Sequence, residues 1–326
     1  MMASPASVLH DAPYGSIDAR SRRNADPASA LFRKGYGAPE PDMSSGFADV
    51  DAAATAAIVV SDSGTNDVYA FSTKGKLVAK ITGFSEPEGM AATKAGSFYV
   101  ANTVASNVLL YENDYKTKIA TLSDPSEYPI DVSYEATTGI VGVANVSMSG
   151  GTGSVSFYAK GKTTPCVTVG NPAWESVYFD AFDSRGDLFV DGVGTSGKAL
   201  VGEVVGGCQA KTIATLNVGS AILDPGGIQV TKADDIAILD GASIRTYKPP
   251  VKGSLGTPIA TTELNGASSP VSFAFTSTGK DLWTADAGLP GSEEYAYPAG
   301  GSPIATITGS GLTEPIGIVV TPIEVP

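Results

Sequence analysis

A short phrase recurs along this chain at a nearly constant interval. It appears as Glu86-Pro87-Glu88-Gly89, Tyr128-Pro129-Ile130-Asp131, Asp224-Pro225-Gly226-Gly227, Ser269-Pro270-Val271-Ser272 and Glu314-Pro315-Ile316-Gly317. A sixth copy is degraded, with Val177 standing where Pro is expected. Anchors at 87, 129, 177, 225, 270 and 315 give steps of 42, 48, 48, 45 and 45 residues. Each interval holds only short apolar runs separated by turn residues. A period of that length built from short strands predicts the blades of a β-propeller.

Each period resolves into four strands, A to D. In the second blade they fall at 89–93, 97–102, 107–111 and 118–122. Strand B ends on Asp or Asn in every blade: Asp62, Asn102, Asn145, Asp191, Asp240 and Asp286. Strand D repeats as Ile119-Ala120-Thr121-Leu122, Ile213-Ala214-Thr215-Leu216, Ile259-Ala260-Thr261 and Ile304-Ala305-Thr306-Ile307. The A–B turns carry Gly, which marks hairpins between alternating β-formers.

The ends decide the count. Residues 57–82 supply strands B, C and D of a first blade and lack an inner strand, whereas 314–321 form an inner strand with nothing after it. Joining the two removes open sheet edges. The expected fold is therefore all-β: a six-bladed β-propeller of four-stranded antiparallel blades, closed by the C-terminal strand acting as inner strand of the first blade. Residues 1–50 show no repeat and are expected to be mostly disordered, with Leu31, Phe32 and Tyr36 on the domain surface; residues 51–326 form the propeller domain.

The Pro-x-Gly phrase, the run Asp183-x-x-Gly186-Asp187-Leu188-Phe189-Val190-Asp191 and the aromatic third strand resemble the NHL and YVTN-type propeller superfamily over roughly residues 57–321. That resemblance implies a six-bladed ring and leaves function wide, since lyases, lactonases, protein- and RNA-binding modules and many exported bacterial proteins share it. The gluconolactonase branch implies a divalent metal, such as Ca²⁺, held by Glu, Asp and Asn around the channel, but no ligand set maps residue by residue. His10 is the single histidine and lies outside the repeats. A Ser-His-Asp triad or a histidine-ligated zinc inside the propeller is thereby excluded, and the chain departs from propeller lyases that use active-site histidines.

The formal charge is −13. Such a body repels phosphate backbones, which excludes nucleic acid as a partner and favours cations, divalent metals or basic protein surfaces. No apolar run reaches membrane-spanning length. None within the first 50 residues suits a secretory signal, although the resemblance and the Thr/Gly/Ser-rich surface favour an extracytoplasmic, periplasmic or secreted location. Cys166 and Cys208 fall in neighbouring repeats, which permits a disulfide; two buried thiols are the expected arrangement.

Because strands alternate direction, the D–A loops and B–C loops share one face. Asp or Asn ends strand B in every blade, so these residues are expected to hold turns rather than a ligand. Glu86, Glu88, Asp131, Glu175, Asp224 and Glu314 cluster near the starts of strand A, in a solvated funnel or around a cation. Trp174 and Tyr128 lie beside them, so a sugar, peptide or cation is conceivable there, while Trp174 as a plug between blades three and four is the ordinary reading. Trp283 is expected in the core, and the Gly/Ser-rich loop 145–154 is a candidate for binding. The leading expectation is a monomeric, non-catalytic propeller that requires no cofactor and binds a protein or small ligand on this acidic face. The rival is a divalent-metal-dependent lactonase or hydrolase using carboxylates at the channel mouth.

Overall fold

The computed structural model describes residues 57–146 and 151–321. The expectations for residues 1–50 and for the tip of the loop 145–154 lie outside those residues. Six four-stranded antiparallel sheets follow one another along the chain. The inner strands are Pro315–Val320, Pro87–Ala92, Tyr128–Tyr134, Trp174–Phe182, Pro225–Val230 and Pro270–Phe275 for blades one to six. Each touches the next, and the sixth touches the first, which makes a ring. Among the described residues no helix is long and apolar enough to cross a membrane.

Closure follows the strand count. Ala57–Asp62 pairs on one side with Asp67–Ser72 and on the other with Pro315–Val320, antiparallel, with Ile58 opposite Val320 and Val60 opposite Ile318. The Thr321 N–H donates to the Ala57 carbonyl at 2.8 Å and the Ala57 N–H to the Thr321 hydroxyl at 3.0 Å. Six apolar clusters fill the six seams between adjacent blades. Blade faces are alternately patterned because strand residues alternate sides, so each face packs on a neighbour. Trp283 belongs to the seam between blades six and one.

The recurring Pro-x-Gly phrase is a bulge and a close approach rather than a funnel wall. In five blades the register of the inner strand slips just after Pro87, Pro129, Pro225, Pro270 or Pro315. Proline, having no N–H to give the ladder, suits a strand start at a bulge. The glycines then let neighbouring inner strands meet: a side chain at Gly89 would run into Asp131, one at Gly227 into Ser272, and one at Gly317 into the Glu88 backbone. Small residues at this level pinch the ring together at the D–A loop end.

Cys166 and Cys208 form a disulfide, with Cα atoms 5.4 Å apart, correcting the expectation of two thiols. Cys166 lies between the third and outer strands of blade three, and Cys208 occupies the matching connection of blade four. The narrow geometric window is met because successive blades present the same loop side by side.

Candidate functional site

The strand-end carboxylates largely behave as turn holders, and they reach further than the following turn. Asp62 accepts from the Thr65 N–H at 2.8 Å and also from the N–H groups of Thr313 and Glu314, at 2.6 and 3.0 Å. Asp286 takes Ser268, Ser269, Gly288 and Leu289. Asp240 takes Leu223 and Asp224, and Asn102 takes Ser85. These residues thus latch the loop that leads into the inner strand of their own blade. Asn145 differs, donating to Ser154 and Ser156.

Asp191 does not belong to this series. Asn102, Asn145, Asp240, Asp286 and Asp62 each sit opposite the anchor proline of their blade. In blade four the inner strand carries two bulges instead of one, so Gly192 faces Val177 and Asp191 faces Phe179. A slip of one residue turns a strand side chain to the other face. Asp191 is consequently turned away from the turn donors; it is fully buried, as Asp62, Asn145 and Asp286 are, and no donor meets either of its oxygens with bonding geometry.

Two more carboxylates stand with it. Asp131, on the inner strand of blade three, accepts the Asp180 N–H at 3.1 Å across the seam. Asp180, on the inner strand of blade four, is 1 % exposed, and neither of its oxygens has a hydrogen-bond partner. The Ser133 hydroxyl is close by without bonding geometry to it, and favours the ionised form. Burial pushes the Asp180 carboxyl up to about 7. Burial first, and the Asp180 charge second, push Asp131 well above the usual range. Burial, then Asp180 and Asp240, do the same to Asp191, against a partial offset from the Phe179 N–H. Carboxylates crowded out of water hold protons that exposed ones release.

A central cavity of about 650 Å³ has Asp180 and Ser133 among its lining residues, but their side-chain oxygens are sealed from it and lie in the seam, where a side chain at Gly142 would run into both. All six inner strands line the cavity, through their second halves, together with the A–B turns at Thr231–Ala233 and Thr276–Gly279. It therefore occupies the end of the channel opposite the D–A loops. Its walls include Met90, Val132, Ile318 and the rings of Tyr134, Phe182, Phe275 and Tyr297. Phe275 meets Tyr297 edge-on, with ring centroids 4.8 Å apart.

No protein-family model matches the chain, and no curated protein does so either. Solved structures do. A crystal structure of a nidogen/laminin complex aligns with a TM-score of 0.64 at 12% identity, covering 82% of this chain and 98% of that one. A protein of unknown function from Bacteroides caccae gives 0.61 at 13%, over 82% and 99%. The hydrazine synthase of Kuenenia stuttgartiensis gives 0.55 at 11%, over 79% and 80%. Identities this low carry the fold and nothing finer.

The predicted acidic-face residues separate under this geometry. Glu314 is exposed, and Glu86, Tyr128, Glu175 and Asp224 are half-buried near the strand starts. Glu88 and Asp131 are buried within the pinched ring. Trp174 is fully buried and packs in the seam between blades three and four, its indole N–H donated to the Thr215 hydroxyl at 2.9 Å. It fills that seam and offers no ring to a ligand at the surface. Among the described residues no group of three His, Cys, Asp or Glu is arranged to hold a metal ion. The sequence reading missed Asp180 and the aromatic rim at the opposite mouth. Its one usable signal was Val177, the single anchor that is not proline.

Proposed function

We propose that this chain is a binding propeller of the NHL/YVTN-like kind, non-catalytic, whose small ligand occupies the channel cavity from the A–B turn side. The observation that carries the reading is the cavity itself: about 650 Å³, walled by all six inner strands, with apolar and aromatic side chains interspersed with polar ones such as Gln229, Thr246 and Thr276. Ligand sites have this size and make-up. The acidic D–A loop face, where Glu86, Glu175, Asp224 and Glu314 remain accessible in part, is left as a surface for a basic protein. The disulfide supports a mature chain in an oxidising, extracytoplasmic compartment, where such bonds persist.

The test uses three matched probes, phenethylamine, 2-phenylethanol and phenylacetate, observed by saturation-transfer NMR. Saturable binding of at least one is expected, abolished by Gln229→Trp or Ala92→Trp, which fill the cavity from two different blades. Unchanged binding in both folded variants, or no binding of any probe, would overturn the reading.

A further inference from the structure

We propose that the ring docks on an anionic phospholipid surface through the face that holds the A–B turns. The contacts are lysines and exposed aliphatic side chains in the connections between third and outer strands, which lie at the outer edge of that face. Docking of this kind is independent of whether the cavity takes a small ligand.

Charge is divided between the two faces. Among the described residues, the six connections from third to outer strands hold eight lysines and two carboxylates. Lys74, Lys76, Lys160, Lys162, Lys211 and Lys252 are exposed, Lys116 is half-buried, and Lys248 is paired with Asp235 at 2.8 Å. The carboxylates are Glu112 and Asp114, and Asp114 is tied into its own turn by the N–H groups of Lys116 and Thr117, both at 2.8 Å. The connections from each outer strand to the next inner strand lie at the other face. They hold Glu86, Asp124, Glu127, Asp224 and Glu314, and no basic residue. The overall charge of −13 therefore conceals a basic rim. Strands of about six residues set the two faces roughly 20 Å apart. That exceeds a Debye length of about 8 Å at physiological salt, so the acidic face is screened from whatever the rim touches.

Exposed aliphatic residues gather on the same rim. Val205, Val251, Ile259 and Ile304 lie in these connections, and Leu77 and Ile119 stand in the first two positions of outer strands. Among the described residues the one other large exposed apolar side chain, Leu223, is at the acidic face. Val251 is 70 % exposed and follows Pro249-Pro250, with Lys248 and Lys252 on either side. A tight turn holds it, its N–H donating to the Ser254 carbonyl at 2.9 Å and its carbonyl accepting the Ser254 N–H at 3.2 Å. A side chain already held in place loses little freedom on docking.

The mixture selects the partner. A soluble polyanion answers the lysines and leaves the aliphatic side chains in water. Single-stranded nucleic acid asks for aromatic or arginine side chains on which bases stack, and the exposed apolar residues here are aliphatic, with no arginine in these connections. The acidic face of a second copy would offer carboxylates but only Leu223 to meet the aliphatic residues. An anionic lipid surface takes both, headgroups meeting lysines and the interfacial layer receiving the aliphatic tips.

Sedimentation of the full chain with large unilamellar vesicles tests this. Phosphatidylcholine vesicles containing about one third phosphatidylglycerol are expected to bind at least about tenfold more tightly than phosphatidylcholine alone, and less tightly as salt rises. Combining Lys74→Glu, Lys76→Glu, Lys160→Glu and Lys162→Glu should abolish binding. Lys211→Glu with Lys252→Glu, in two other blades, should weaken it severalfold. Val205→Ser with Val251→Ser should weaken it severalfold with the salt dependence unchanged, whereas Leu223→Ser should have no effect. No preference for anionic vesicles would overturn the proposal, as would binding that survives in the folded lysine variants, which keep the arginines of residues 20–33. Binding indifferent to the two valines, or binding to heparin with none to vesicles, would overturn it in favour of a soluble polyanion. Self-association of the pure chain that the lysine variants abolish, again without vesicle binding, would overturn it in favour of a second copy.

Discussion

Asp286 takes four backbone N–H groups on its two oxygens, and Asp191, which ends the same spelling in another blade, takes none. Removing the first carboxylate strands buried donors; removing the second relieves a buried charge. Asp286→Ala is therefore expected to cost roughly 3 kcal/mol in urea denaturation, whereas Asp191→Asn should be neutral or stabilising. Asp180 adds a pH dependence. Its carboxyl holds a proton up to about 7 in the folded chain and only to 3.8 in an open one. Between those values the native state binds more protons than the unfolded state, so stability falls as pH rises. The contribution is whole below about pH 4 and gone above about pH 7. Asp131, Asp191 and Glu293, the last also raised to about 7 by burial, act in the same direction. Asp180→Asn should raise the melting temperature more at pH 8 than at pH 5 by calorimetry; equal gains would contradict the burial that causes the shift. Burial and pKa were not legible in the spelling. Asp191 looked like its five counterparts, yet it stands three residues after the hairpin-closing Leu188, where Asn102, Asn145, Asp240 and Asp286 stand four after Phe98, Val141, Ile236 and Leu282, and one residue turns the side chain to the other face.

The closing strand Pro315–Val320 is a separate stretch of chain that completes a sheet begun more than two hundred residues earlier. Its backbone bonds, and the Asp62 bonds to Thr313 and Glu314, are the seal of the first blade. Deleting residues 313–326 should expose the edge of Ala57–Asp62 and yield aggregation or a broadened transition, read by light scattering and urea titration. A soluble monomer with unchanged cooperativity would contradict the seal. Strand positions were readable to within a residue or two in most blades, because turn glycines punctuate them. What the pattern did not disclose is the role of the Pro-x-Gly glycines, which look like turn residues and serve close approach: Gly89 leaves room for Asp131, and Gly317 for the Glu88 backbone.

The ring as a whole followed from counting strands at the two ends, since only one arrangement leaves no orphan. The cavity did not. Carboxylates at the strand starts gather at the D–A loop face, whereas the cavity lies at the A–B turn end, a position set by backbone packing around an axis that no single repeat reveals. The link between Cys166 and Cys208 was open in the sequence for a similar reason, since it depends on two loops lying side by side. Replacing both cysteines with serine should lower stability by about 4 kcal/mol in the chain-entropy account, measured as a shift of the denaturation midpoint. That bond also makes the chain unequal under force. Stretched from Ala57 to Thr321, an oxidised molecule would transmit tension across the two sulfurs and leave the 42-residue span between them slack. Fully extended, it should therefore stop about 135–145 Å short of its reduced form.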